Sequence, residues 1–83
     1  MERSAPLKVF VEFQSLMKKF NNWQASKEIE LPDGADTNDL LESLKIDVKK
    51  DLGFIIVNGI KINNEAVLKE GDQIKLFPKA FGG

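Results

Sequence analysis

The stretch Phe54-Ile55-Ile56-Val57-Asn58-Gly59-Ile60-Lys61-Ile62 reads as one hairpin. Phe54–Val57 is a continuous apolar run, consistent with a buried strand. Asn58-Gly59 is the preferred pair for a two-residue hairpin turn, where both central residues need positive φ. Ile60-Lys61-Ile62 returns as the partner strand. Downstream, Asn63-Asn64 marks a turn before Ala66-Val67-Leu68, and Lys69-Glu70-Gly71-Asp72 turns the chain again. Gln73-Ile74-Lys75-Leu76-Phe77 then alternates as the last strand.

Upstream, Leu7, Val9, Val11 and Phe13 alternate with Lys8, Phe10 and Glu12, so Leu7–Phe13 is a strand with one wholly apolar face. Leu16, Met17 and Phe20 recur at helical spacing in a short turn over Gln14–Phe20. Asn21-Asn22 interrupts it, because their side chains compete for backbone hydrogen bonds, and Trp23 is expected to pack back on the domain. Lys27–Leu31 alternates as a second strand and stops at Pro32-Asp33-Gly34. Asp36 or Thr37 caps a helix placed at about Thr37–Lys45, with Asp39 adding negative charge to its first turn. Leu40, Leu41 and Leu44 share one face of that helix.

The order strand, strand, helix, strand, short strand, strand predicts an α+β domain. The first strand pairs with the second, the helix crosses over, and a later strand returns beside the first. This is a ubiquitin-like β-grasp, a mixed sheet with one main helix packed on one face. Residues 1–77 form the domain and 78–83 an extended C-terminal tail.

An 83-residue chain suits one such domain. The sequence has no cysteine and no histidine, so disulfides, Ser-His-Asp and Cys-His pairs, and thiolate or imidazole metal sites are all excluded. No metal is expected. A net charge of −1 lacks the basic excess of a nucleic-acid binder, so no nucleic acid is expected. Met1–Pro6 lacks the apolar core of a signal peptide, and no run approaches the roughly 20 apolar residues that cross a bilayer. No membrane is expected, and the cytoplasm is the expected compartment.

The chain ends Phe77-Pro78-Lys79-Ala80-Phe81-Gly82-Gly83. Two residues without side chains make the thinnest peptide available, free to adopt any backbone angles inside a narrow cleft. From Pro78 onward, six residues reach about 20 Å when extended. The plain alternative is a frayed stub. A carboxylate is a poor electrophile, so an enzyme must first activate it, most simply as an acyl-adenylate. The chain carries no nucleophile–base pair, which fits a substrate of such a reaction rather than a catalyst on its own.

Phe54–Gly59, then Leu68-Lys69-Glu70-Gly71-Asp72 with Gln73–Pro78, and the terminal Gly82-Gly83 together resemble the ThiS/MoaD sulfur-carrier family. The likeness extends to the first strand and to Glu28–Leu44. The resemblance implies that the Gly83 carboxylate, presented on Gly82, is adenylated by an enzyme related to ubiquitin-activating enzymes. That partner uses ATP, no cofactor is bound by the carrier itself, and the product is a thiocarboxylate. The sulfur goes to an acceptor synthase subunit: the large subunit of molybdopterin synthase for MoaD-like members, or thiazole synthase in thiamin synthesis for ThiS-like ones. Phe77-Pro78 and the longer front end resemble the MoaD branch. The segment Gln14–Ser26 and the bulky Lys79-Ala80-Phe81 depart from the family pattern. A ubiquitin-like interaction module or a protein modifier is the alternative.

Ile74 and Leu76 are expected to face the helix, which turns Lys75 and Phe77 outward. Phe10 faces the same way on the neighbouring first strand, so Phe10 and Phe77 are expected to form one exposed apolar patch beside the tail, a partner surface extended by Phe81. Lys75 and Lys79 are candidates for steering toward an acidic partner. Asp36 and Asp39 are read as capping groups, Lys18-Lys19 and Lys49-Lys50 as solvated surface, and Asn58-Gly59 and Gly71-Asp72 as turn chemistry.

Overall fold

The computed structural model describes residues 5–63 and 65–79. Five strands, β1 (Leu7–Phe13), β2 (Ser26–Leu31), β3 (Leu52–Val57), β4 (Ile60–Ile62) and β5 (Gln73–Pro78), form one sheet of order β2-β1-β5-β3-β4. β1 and β5 run parallel at its centre, and every other pairing is antiparallel. One α-helix, α1 (Thr37–Ser43), sits in the β2–β3 crossover. The molecule is an α+β ubiquitin-like β-grasp.

Alternation along the strands sorts the side chains. Leu7, Val9, Val11 and Phe13 of β1, and Ile74 and Leu76 of β5, are buried in one cluster with Leu40 and Leu41 of α1. Burying each such side chain is worth about 1.5–3 kcal/mol against leaving it in water. Lys8, Phe10 and Glu12, with Gln73, Lys75 and Phe77, take the opposite, uncovered face. The Phe54–Val57 run is less enclosed than its composition predicts. Ile55 is buried, whereas Phe54 and Ile56 point to the open face and are only half-buried.

The local signals act as their chemistry dictates. Asn58 and Gly59 have φ of 51° and 84°, the two positive angles that the hairpin turn requires. Asp36 caps α1 through a reciprocal capping box, its Oδ1 accepting the Asp39 N–H while an Asp39 carboxylate oxygen accepts the Asp36 N–H. The helix stops short of Lys45 because Lys45 is left-handed, at φ 60°. The Lys45 and Ile46 N–H groups then donate to the Glu42 and Leu41 carbonyls, closing a Schellman end.

Between β1 and β2, Ser15–Asn21 forms a 3₁₀-helix whose Met17 joins the core. The Asn21 side-chain amide donates to the Gln24 and Ser26 carbonyls, the local bonding expected to end the helix. Trp23 does not pack back on the domain: it is 62% exposed. Met17 and Asn21 occupy the inward positions, and left-handed Asn22 and Trp23 carry the indole past them.

Two contacts fasten the ends of β5. At its start, the Asn58 side-chain amide donates to Asp72 Oδ1 at 2.8 Å, and Asn58 Oδ1 accepts the Gln73 N–H at 2.9 Å. Asp72 Oδ2 accepts the Lys69 N–H at 2.8 Å. The β3–β4 turn and the Lys69–Asp72 turn are thus one hydrogen-bonded unit. At its finish, Gly53 lies at a register shift between β3 and β5. A Cβ there would stand 2.3 Å from the Pro78 carbonyl oxygen. Only glycine lets the two backbones approach so closely.

Asp72→Ala leaves the Asn58 amide and the Lys69 N–H without their partner, and should destabilise the domain by about 1–3 kcal/mol in urea unfolding. A loss below the error of the fit would contradict the role given to this unit. Gly53→Ala, whose φ is not the obstacle, should cost about 1–3 kcal/mol through overpacking. Its amide shift changes in NMR spectra should concentrate at Leu52–Phe54 and Phe77–Lys79.

Candidate functional site

Gly82, Gly83 and Phe81 lie outside the described residues, so the site is built here from the root of the tail and the surfaces around it. The root is the end of β5. Pro78 pairs with Leu52 across the bulge, and the Lys79 ammonium donates to the Lys49 carbonyl. Gln14, just past β1, donates its N–H to the Leu76 carbonyl at 3.0 Å. The tail therefore leaves from a strand held on both sides as far as Leu76 and on the β3 side as far as Pro78.

A groove flanks this root. Leu16, Met17 and Lys19 of the 3₁₀-helix form one wall, Lys50 and Asp51 the other, with Pro78 and Lys79 between them. The second wall is a closed turn. Asp47 Oδ1 accepts the Lys49 and Lys50 N–H groups at 2.9 and 3.0 Å, and Asp51 Oδ2 accepts the Asp47 N–H at 3.2 Å. Lys79, singled out from the sequence, thus lies among lysines that the sequence reading left as solvated surface. Their convergence across some thirty positions of chain has no local signal.

The open sheet face holds the other candidates. Phe10 is 44% exposed and sits opposite Gln73, with Glu28 on its other side. Together with Glu12 and Lys75 these residues line a shallow depression of about 530 Å³. Phe10 and Lys75 are thereby brought together. Phe10 and Phe77 are not: Phe77 lies four residues beyond Gln73 on β5, roughly 13 Å at the usual strand rise. Phe77 instead stacks on Phe54 of β3, with ring centroids 4.4 Å apart and planes 9° from parallel. The Lys61 ammonium sits 5.1 Å from the Phe54 centroid. The expected Phe10–Phe77 patch is therefore replaced by a Phe54–Phe77 pair beside the tail root. The 3₁₀-helix does not cover Phe10.

Sequence reasoning placed Phe54 in a buried strand and so missed it as a surface residue. Only the β3–β5 register, which sets Phe54 against Phe77, identifies the pair. Among the described residues no group of three or more carboxylates could hold a metal ion, and no helix is long and apolar enough to cross a membrane. The arrangement offers a fixed root, an aromatic pair and a lysine-rich groove around the point where the tail departs.

Comparisons with known proteins agree with this geometry. One solved structure, described as molybdopterin converting factor subunit 1 from Pyrococcus furiosus, superposes with a TM-score of 0.74 at 29% identity, covering 89% of this chain and 99% of that one. The solution structure of the Haloferax volcanii HVO 2177 protein superposes with a TM-score of 0.79 over the whole of this chain and 92% of that one. At 19% identity that second likeness bears on the fold alone. A search of curated proteins finds no match. The ThiS family model matches residues 9–83, from β1 through both terminal glycines. The chain belongs to the ThiS family, the sulfur-carrier family that its hairpin, its last turn and its glycine pair resemble.

Proposed function

We propose that this protein carries sulfur on its own C-terminus. A partner related to ubiquitin-activating enzymes supplies ATP, and the Gly83 carboxylate attacks the α-phosphorus as pyrophosphate leaves. A hydrosulfide equivalent from a sulfur donor then attacks the acyl carbon, AMP departs with the bonding electron pair, and loss of a proton leaves the thiocarboxylate. The chain supplies no group to these steps beyond the carboxylate. Its contribution is placement. The observation that carries this reading is the fastening of Pro78 and Lys79 at the end of the central strand, immediately before a glycine-ended tail.

The sulfur then passes to an acceptor synthase subunit. The likeness to the Pyrococcus furiosus protein, whose description names molybdopterin conversion, supports the large subunit of molybdopterin synthase as that acceptor. Thiazole synthase is the second candidate, since the family model takes its name from the ThiS members. The half-buried Phe54–Phe77 pair and the depression beside exposed Phe10 and Lys75 are the surfaces we assign to partner contact, because aromatic residues are enriched among interface hot spots. Lys79 and Phe81 adjoin the tail itself. The reading places the protein in the cytoplasm, with 78–83 acting as the inserted tail.

Incubating the chain with its adenylating partner, ATP and a sulfur donor should replace one oxygen by sulfur, seen by mass spectrometry and confined to Gly83. Deleting Gly83 should abolish the product and leave the circular dichroism spectrum unchanged. Thiocarboxylate formed on the truncated chain would overturn the proposal. Phe77→Ala should weaken binding to the partner by about 1–2 kcal/mol, or roughly five- to thirtyfold, while the tail remains intact.

A further inference from the structure

Lys19 and Lys50, one from each of the pairs Lys18-Lys19 and Lys49-Lys50, lie some thirty residues apart in sequence, yet the fold brings both to the groove at the root of the tail. Lys19, Lys50 and Lys79 line the groove at the tail root, and the Lys79 ammonium bonds the Lys49 carbonyl. The acids of this region, Asp47 and Asp51, have their carboxylates turned onto backbone N–H groups of their own loop. These bonds make the loop a rigid mount for Lys49 and Lys50. The Lys18 carbonyl likewise accepts the Trp23 N–H at 2.8 Å, which fixes the end of the 3₁₀-helix carrying the other pair. Of the four charged side chains that line the groove, Lys19, Lys50 and Lys79 are positive and Asp51 alone is negative.

We infer that these lysines form a collar that docks on an acidic protein surface at the mouth of the cleft receiving the tail. The inference rests on the carrier reading above. Distance selects the occupant. Six residues from Pro78 carry the carboxylate about 20 Å away when extended, so the collar cannot reach the phosphates of a nucleotide at the reaction centre. It meets the rim of the partner's cleft instead. Leu16, 50% exposed in the same groove, adds an apolar contact inside the charged ring. Complementary charge at that radius raises the encounter rate and fixes the angle at which the tail enters. A polyanion such as nucleic acid is the competing occupant, disfavoured by the overall negative charge.

The test is Lys19→Glu/Lys50→Glu in the full chain, with folding checked by circular dichroism. The readout is carrier-dependent ATP–pyrophosphate exchange by the purified adenylating protein of the ubiquitin-activating class from the same cell. At low ionic strength the double variant should show kcat/KM at least tenfold below the native chain, with the rate at saturating carrier held. The native kcat/KM should fall steeply with added salt and the variant's should not, because salt screens the attraction. Native kcat/KM and native salt dependence in the variant would overturn the collar, as would tight binding of the native chain to a labelled single-stranded oligonucleotide. If the native chain itself supports no exchange, the carrier reading fails and the collar with it. Should the double reversal not fold, Lys19→Gln/Lys50→Gln is expected to give a smaller fall of the same sign, and no fall would count against the collar.

Discussion

The structure depends on β5 being paired along both edges. Its parallel partner β1 and its antiparallel partner β3 hold it at the centre of the sheet, and its inward side chains Ile74 and Leu76 are 0% exposed. A central strand opens only when the domain unfolds, unlike frayed edges and loops. The polypeptide that continues from β5 therefore starts from a strand held by β1 and Gln14 as far as Leu76 and by β3 as far as Pro78. A slender tip on a rigid base is what delivery into another protein's cleft requires, because each ordered residue at the base removes freedom that binding would otherwise have to remove.

The two ends of β5 serve different purposes. Where the strand begins, Asn58 and Asp72 join two turns through side-chain bonds and set the register in which β5 enters the sheet. Where it ends, Gly53 lets the β3 backbone approach the Pro78 carbonyl, and the groove between the 3₁₀-helix and the Asp47–Asp51 turn frames the exit. Turn residues thus control where the chain leaves the sheet toward its C-terminus.

Much of this was legible from local chemistry. The hairpin dipeptide, the Asp36–Asp39 cap and the alternation of β1 and β5 each act over a few residues, and each appears where those rules put it. The family likeness rests on the same segments. What was not legible is set by register and by convergence. Alternation says that Phe10 and Phe77 share a face. It does not say that Phe77 lies beside Phe54 with Phe10 several residues away. The need for glycine at position 53 shows only in the backbone it meets, the Pro78 carbonyl of β5. Lys19 and Lys50 look like solvated surface until the fold carries them to the tail root. Trp23, expected to pack back on the domain, is turned out by the left-handed backbone at Asn22 and Trp23.

The central claim is that the terminal carboxylate is the one group of this chain that its partner activates. It is tested most directly by trapping the acyl intermediate before sulfur arrives. The chain is incubated with the adenylating partner and ATP, without sulfur donor, and quenched with hydroxylamine, which converts an acyl-adenylate into a hydroxamate. The account predicts a hydroxamate at Gly83 and nowhere else, formed together with an equal amount of AMP. A hydroxamate on an internal carboxylate, or AMP release that leaves Gly83 unmodified, would contradict it.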